Sequence, residues 1–297
     1  MARLAAANQD GVPRVWDLSA QTPVLSLCGH ARICKAIAYS PDGTLLATGG
    51  DDGMVRVWDA QTGQALRSLE GHRSYVWVVA FSPDGARLAS VDDAVVLRIR
   101  DVATGETLLN LASPSAGGFR STRFLADGSG MATTGYDGTT RIWDAATGRL
   151  QLLLAGHVRT VLDAAISPDG CTFVTCGGDG TLKTWDLGRG REMLALVGNP
   201  SSTKGQVAYS PDERRLAASS ADDTIRIWDP CAVRLIATLR TVEPHLWGPV
   251  AYCRDGRWLA TGALDGFWDV WDLSTRRVLT TRCGHASIWG TRRGCPA

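Results

Sequence analysis

GHARICKAIAYSPDGTLLATGGDDGMVRVWDAQTGQALRSLE, residues 29–70, is one turn of a pattern that runs the length of the chain. Its punctuation is turn chemistry. In Ser40-Pro41-Asp42-Gly43, proline stands at the second position and glycine near the end, as a type I turn prefers. The corresponding stretch one unit later shows an apolar run, Val76 to Phe81, before Ser82-Pro83-Asp84-Gly85, and a short strand, Arg87 to Ser90, after it. An Asp52-Gly53 turn then leads into the alternating strand Met54 to Trp58, and Thr62-Gly63 into a last strand, Ala65 to Leu69. Four short strands joined by tight polar turns make a small antiparallel sheet.

The pattern repeats. Trp-Asp recurs at Trp16-Asp17, Trp58-Asp59, Trp143-Asp144, Trp185-Asp186, Trp228-Asp229 and Trp271-Asp272, with Arg100-Asp101 as a degenerate copy. The steps between these aspartates are 42, 42, 43, 42, 43 and 43 residues, a period typical of propeller blades. Seven such units leave no length for a second domain, so residues 1–297 are expected to form one. A single small sheet cannot bury both its faces, whereas seven arranged radially can. The expected fold is all-β, a seven-bladed propeller of four-stranded antiparallel blades.

A second set of residues stands at fixed offsets before the tryptophan: histidine at 28, serine or threonine at 10, aspartate at 6. The second unit has His30, Thr48, Asp52 and Trp58; the fifth has His157, Thr175, Asp179 and Trp185. This resembles the WD-repeat (beta-transducin-like) family over the whole chain. The resemblance implies a hydrogen-bonded chain of these four residues inside each blade. The chemistry suits that role: a buried indole N–H needs an acceptor, a hydroxyl can pass the bond on, and an imidazole held by a carboxylate completes it.

Ring closure is also expected from the register. The chain begins inside a unit, with Arg3 to Ala7 in the second-strand position, and overruns at its other end with Gly284-His285 and Ala286 to Trp289. The C-terminal segment is therefore expected to supply the missing strand beside residues 3–17, bringing His285 to Asp10 and Trp16 and removing an open edge. The joint is the weakest in the ring. Thr291, Arg292, Arg293 and Gly294 stand where other units are apolar, and Pro13 interrupts the strand pattern that follows.

Composition narrows the function classes. Lys plus Arg total 31 and Asp plus Glu 30, a balance that argues against a dedicated nucleic-acid or anionic-membrane surface. A nucleic-acid reading through Lys35, Arg100, Arg120, Arg292 and Arg293 is weighed and set aside on that ground. No apolar run approaches a membrane span, and Met1 to Gly11 has no signal-peptide core. The eight cysteines then read as free thiols in a reducing compartment, and the expected location is the cytoplasm, with the nucleus also open and secretion not expected.

Serine or threonine, histidine and aspartate together invite a catalytic reading. Their repetition argues for structure instead, since an enzyme needs one site and not a ring of copies. Cys28, His30 and Cys34, and Cys283, His285 and Cys295, lack paired Cys-x2-Cys spacing, so no metal is expected. No phosphate-binding loop, dinucleotide fingerprint or nucleophile elbow occurs, and no cofactor is expected.

What remains is surface. Three offsets vary freely between units, and the family resemblance places them around the channel mouth, where peptides dock. Large side chains there cluster in units two to four: Lys35 and Asp51, then Tyr75, Trp77 and Asp93, then Arg120 and Tyr136. Aromatic residues and arginine on a rigid surface are hot-spot chemistry. Asp51 and Asp93 beside Tyr75 and Trp77 suit a basic peptide through ion pairing and cation–π contact. The competing role for Trp77 is packing against its own blade. The expected function is a non-enzymatic scaffold or adaptor for proteins or peptides, monomeric or a module of a larger complex. The alternative is a ligand-binding or catalytic propeller using the central channel.

Overall fold

The computed structural model describes residues 3–7, 10–17, 22–93, 95–114, 118–197, 206–220, 222–232, 234–240, 250–253, 255–262 and 267–283. These residues contain strands and turns and no α-helix. They form seven antiparallel sheets arranged in a ring, a seven-bladed β-propeller. Six sheets carry four strands each. The first carries three among the described residues: Arg3–Ala6, Arg14–Asp17 and Thr22–Ser26. The strand expected to complete it, and with it His285, lies outside the described residues. Pro13 falls just before Arg14–Asp17 and so removes no ladder donor; its carbonyl accepts from the Leu27 amide at 2.8 Å.

The second blade shows how the repeat folds. Its strands are Cys34–Tyr39, Leu45–Gly50, Val55–Asp59 and Ala65–Leu69, paired in that order. In the third strand Val55 and Val57 are buried while Arg56 between them is half-buried, the period-two pattern of a pleated strand. In all seven blades the pairing of the last two strands slips by one residue immediately at the register position, between Val57 and Trp58 and equally between Ile99 and Arg100. A β-bulge therefore accompanies the position even where the indole is absent.

The core is divided among the joints between blades. One cluster combines Ala47, Val57 and Leu69 of the second blade with Val76, Leu88 and Val102 of the third; the next combines Leu97 and Ile99 of the third with Phe119, Met131 and Trp143 of the fourth. Each sheet thus buries its faces against its neighbours. First strands of consecutive blades from the second to the seventh lie beside one another, lining the ring's axis.

Candidate interaction face

A second bulge creates the candidate face. In blades two to five the pairing of first and second strands slips between Cys34 and Ala36, Val76 and Val78, Phe119 and Ser121, and Val161 and Asp163. The residues left without a cross-strand partner are Lys35, Trp77, Arg120 and Leu162. A bulged residue is re-aimed away from the ladder. Just beyond, the Asp51 amide donates to the Ile33 carbonyl at 2.8 Å and the Asp93 amide to that of Tyr75 at 3.1 Å, closing the strand ends.

All seven residues expected on this face come together. The Lys35 ammonium lies 3.2 Å from the Asp51 carboxylate and 4.0 Å from the centre of the Tyr75 ring. Tyr75 meets Trp77 edge-on at 6.1 Å, and Trp77 stacks on Tyr136 at 6.3 Å. The Arg120 guanidinium sits 5.1 Å from the Trp77 ring. Asp93 accepts the Tyr75 hydroxyl hydrogen bond, which is the main reason that the phenol's pKa is raised. One continuous chain of cations, rings and carboxylates thus spans three blades. Tyr136 is 41% exposed and Asp93 is exposed, so its ends face solvent. Trp77 takes both weighed roles: half-buried, it packs on the core cluster containing Ala89 and Phe119 while presenting a face to Tyr136 and Arg120. Its buried indole N–H has no hydrogen-bond partner among the described residues.

The tetrads are continuous. In the second blade the Trp58 N–H donates to Thr48 Oγ1 at 2.9 Å, His30 Nε2 lies 2.7 Å from that hydroxyl, and His30 Nδ1 3.0 Å from Asp52. The fifth blade repeats this with Trp185 to Thr175 at 2.9 Å, His157 Nε2 to Thr175 at 2.8 Å and Nδ1 to Asp179 at 2.9 Å. One neutral tautomer links the four tetrad groups: the indole gives to the hydroxyl, the hydroxyl to Nε2, and Nδ1–H to the carboxylate, with Arg56 Nη1 also 2.7 Å from Nδ1 in the second blade. Burial lowers the pKa of both histidines, against the opposing pull of their aspartates.

The third blade supplies what the offsets missed. Its acid position is Ala94, which lies outside the described residues, yet the blade keeps a network. His72 Nδ1 bonds Asp92 at 2.7 Å, with the carboxylate supplied from two residues earlier, and Nε2 bonds Ser90 at 2.8 Å. His72 and Ser90 stand at the expected offsets from Arg100, so part of the signal was present. Arg100 replaces the indole; it is 2% exposed and donates to Ser90 Oγ at 3.5 Å and to the Glu70 carbonyl at 2.7 Å. Trp143 keeps its threonine, Thr133, at 2.7 Å. Trp228 has Ala218 ten residues before it, and its N–H has no partner among the described residues. In the first blade Asp10 pairs with Arg14 at 2.7 Å.

A further buried acid lies in the wall around the axis. Asp163, 1% exposed, accepts from Ser121 Oγ at 2.6 Å, faces Arg123 at 3.4 Å and accepts from the Val207 amide at 3.4 Å, tying blades four, five and six. Among the described residues no three His, Cys, Asp or Glu side chains gather to hold a metal ion, and no helix is long and apolar enough to cross a membrane.

The repeat family "WD domain, G-beta repeat" matches residues 21–59, 63–97, 106–144, 148–186, 195–229 and 239–272, well over half of the chain. The chain belongs to the WD40 family. The family match assigns six repeats; the seventh sheet, at the N-terminus, is the three-stranded one. WD40 propellers are typically protein-interaction scaffolds. A 41-residue segment, about one repeat, is 49% identical to pre-mRNA-splicing factor PRP46 of Eremothecium gossypii, covering 14% of this chain and 10% of that protein.

Proposed function

We propose that this WD40 propeller is a non-enzymatic adaptor, one domain that docks peptide segments of other proteins on the face built from Lys35, Asp51, Tyr75, Trp77, Asp93, Arg120 and Tyr136. The observation that carries this reading is the unbroken contact chain from Lys35 to Tyr136 on bulged and strand-end positions. Its side chains hold one another in place before a partner arrives, which lowers the ordering cost of binding. Asp51 is already matched by Lys35, whereas Asp93 is exposed and offers a carboxylate beside the Tyr75 ring. A basic side chain entering there gains an ion pair and a cation–π contact worth about 0.5–2 kcal/mol. The adaptor is proposed to work in the cytoplasm or nucleus.

The test is a comparative pull-down from the source organism's extract with wild type and a Trp77→Ala, Arg120→Glu variant. Circular dichroism establishes that the variant is folded, which matters because Trp77 also packs on the core. Basic-segment partners retained by wild type and lost by the variant support the face. Identical captures overturn it.

A further inference from the structure

The first strands of blades two to seven carry few charges. Among the described residues these are Lys35, Arg120, Arg123 and Asp163. Two of the cations are answered within the fold. Lys35 lies 3.2 Å from Asp51. Arg123 lies 3.4 Å from Asp163, which also accepts from Ser121 Oγ and the Val207 amide. Twenty residues before the register position, blades two, three, five, six and seven have Ala38, Ala80, Ala165, Ala208 and Ala251; blade four alone has a charge there, Arg123. Asp163, the acid of this wall, is therefore committed to Arg123 and its neighbours.

Arg120 is the cation left over. Among the described residues it makes no ion pair and no hydrogen bond; its contact is the Trp77 ring, 5.1 Å away. A guanidinium held against an aromatic ring keeps its N–H donors, which lie in its own plane, for a carboxylate. Burial pushes the Cys176 thiol of blade five up, and the Arg120 charge opposes that rise, so the guanidinium acts toward blade five. Asp93 stands at the other end of the face. It is exposed, accepts from the Tyr75 hydroxyl and has no ion pair among the described residues. The face thus offers an acid without an opposite charge on blade three and a cation without one on blade four.

We propose that the peptide segment docked on this face carries both signs of charge: a basic side chain for Asp93 and, a few residues away, an acidic side chain for Arg120. This rests on the docking reading above and names the chemistry of its partner. Tyr75 and Trp77 are 6.1 Å apart, and Trp77 and Arg120 5.1 Å. An extended peptide rises about 3.3 Å per residue, so one to three residues between the two charged side chains bridge these steps. The carboxylate meets a guanidinium already positioned on a ring, so pairing loses little side-chain entropy on the propeller's part. A purely basic segment would instead bring like charge toward Arg120.

A heteronuclear NMR titration of the full-length protein decides it, read at the Trp77 indole N–H, which is assigned by its loss in Trp77→Phe. The probes are end-capped peptides with lysine and glutamate separated by one, two or three alanines, and the same peptides with glutamine replacing the glutamate, the lysine or both. At low salt the mixed peptide at its best spacing is expected to bind about fivefold or more tighter than the lysine-only peptide. Arg120→Gln is expected to abolish that gain without weakening the lysine-only peptide, and Arg120→Lys, which keeps the charge but not the fork, to retain part of it. Equal binding of mixed and lysine-only peptides, or a gain that survives in Arg120→Gln, overturns the charge pairing and leaves basic docking standing. Equal binding of mixed and glutamate-only peptides removes the basic half and overturns it too. No binding by any peptide overturns both this inference and the docking reading. If Arg120→Gln does not fold, the comparison of peptides on wild type and Arg120→Lys decides.

Discussion

Trp185 and Trp228 occupy the same register position, but only one has a partner for its N–H, and this separates hydrogen bonding from packing. Trp185 is 3% exposed among Ala132, Ile142, Leu154 and Phe173, and donates to Thr175 at 2.9 Å. Trp228 is 8% exposed and donates to nothing among the described residues. Phenylalanine at either site removes the N–H and part of the ring. The ring loss is shared, so the difference isolates the bond. A made hydrogen bond contributes about 0.5–1.5 kcal/mol, while an orphaned buried donor is a penalty of about 1–3 kcal/mol. Trp185→Phe is therefore expected to lose about 2 kcal/mol more than Trp228→Phe. Full truncation, Trp185→Ala, is expected to cost about 3–5 kcal/mol. Urea unfolding followed by circular dichroism measures all three. Equal losses in the two phenylalanine variants would refute the argument that the tetrad stabilises through its hydrogen bonds.

Acid should loosen the blades through their histidines. Burial, the largest influence, holds His30, His72 and His157 below the ordinary 6.5. As pH falls below about 6.5 the unfolded chain takes up protons that the folded chain refuses, so stability present above that value is lost on the way down. The melting temperature should fall between about pH 7 and pH 5, and histidine NMR titrations should give these three low midpoints; a flat profile would contradict the network. At Asp163, substitution by alanine removes the acceptor shared by Ser121, Arg123 and the Val207 amide and is expected to cost about 2–3 kcal/mol; a change within about 0.5 kcal/mol would show that the three blades do not depend on it.

The register of the chain was legible because its chemistry repeats. Seven copies of Trp-Asp or its degenerate form, each with turn residues at fixed distances, leave one topology that buries every sheet. Val76–Phe81 and Ala65–Leu69 fall where the pattern puts them. The bulges were not legible, because a slip in pairing leaves the spacing along the chain unchanged. Nothing in the letters Cys34-Lys35-Ala36 says that Lys35 lacks an opposite residue. The grouping of Lys35 with Trp77 and Arg120 was still readable, because free variation at one offset marks a position released from the ladder. The third blade's acid was hidden for a different reason. Asp92 reaches His72 from two residues before the expected place, and offsets cannot see a side chain that arrives from elsewhere. The Arg123–Asp163 contact joins separate units, and comparing copies of a unit says nothing about what one copy donates to the next.

The bulges between first and second strands have one more effect. A residue squeezed out of the ladder has no cross-strand partner to match, so its identity can change while the strand pairing stays the same. Lysine, tryptophan, arginine and leucine stand at this one position in four successive blades. The propeller therefore behaves as a rack of sockets with standard fittings and interchangeable heads. Exchanging Leu162 for an aromatic would extend the docking face by one blade, at the expense of the contact Leu162 makes with the core joining blades five and six.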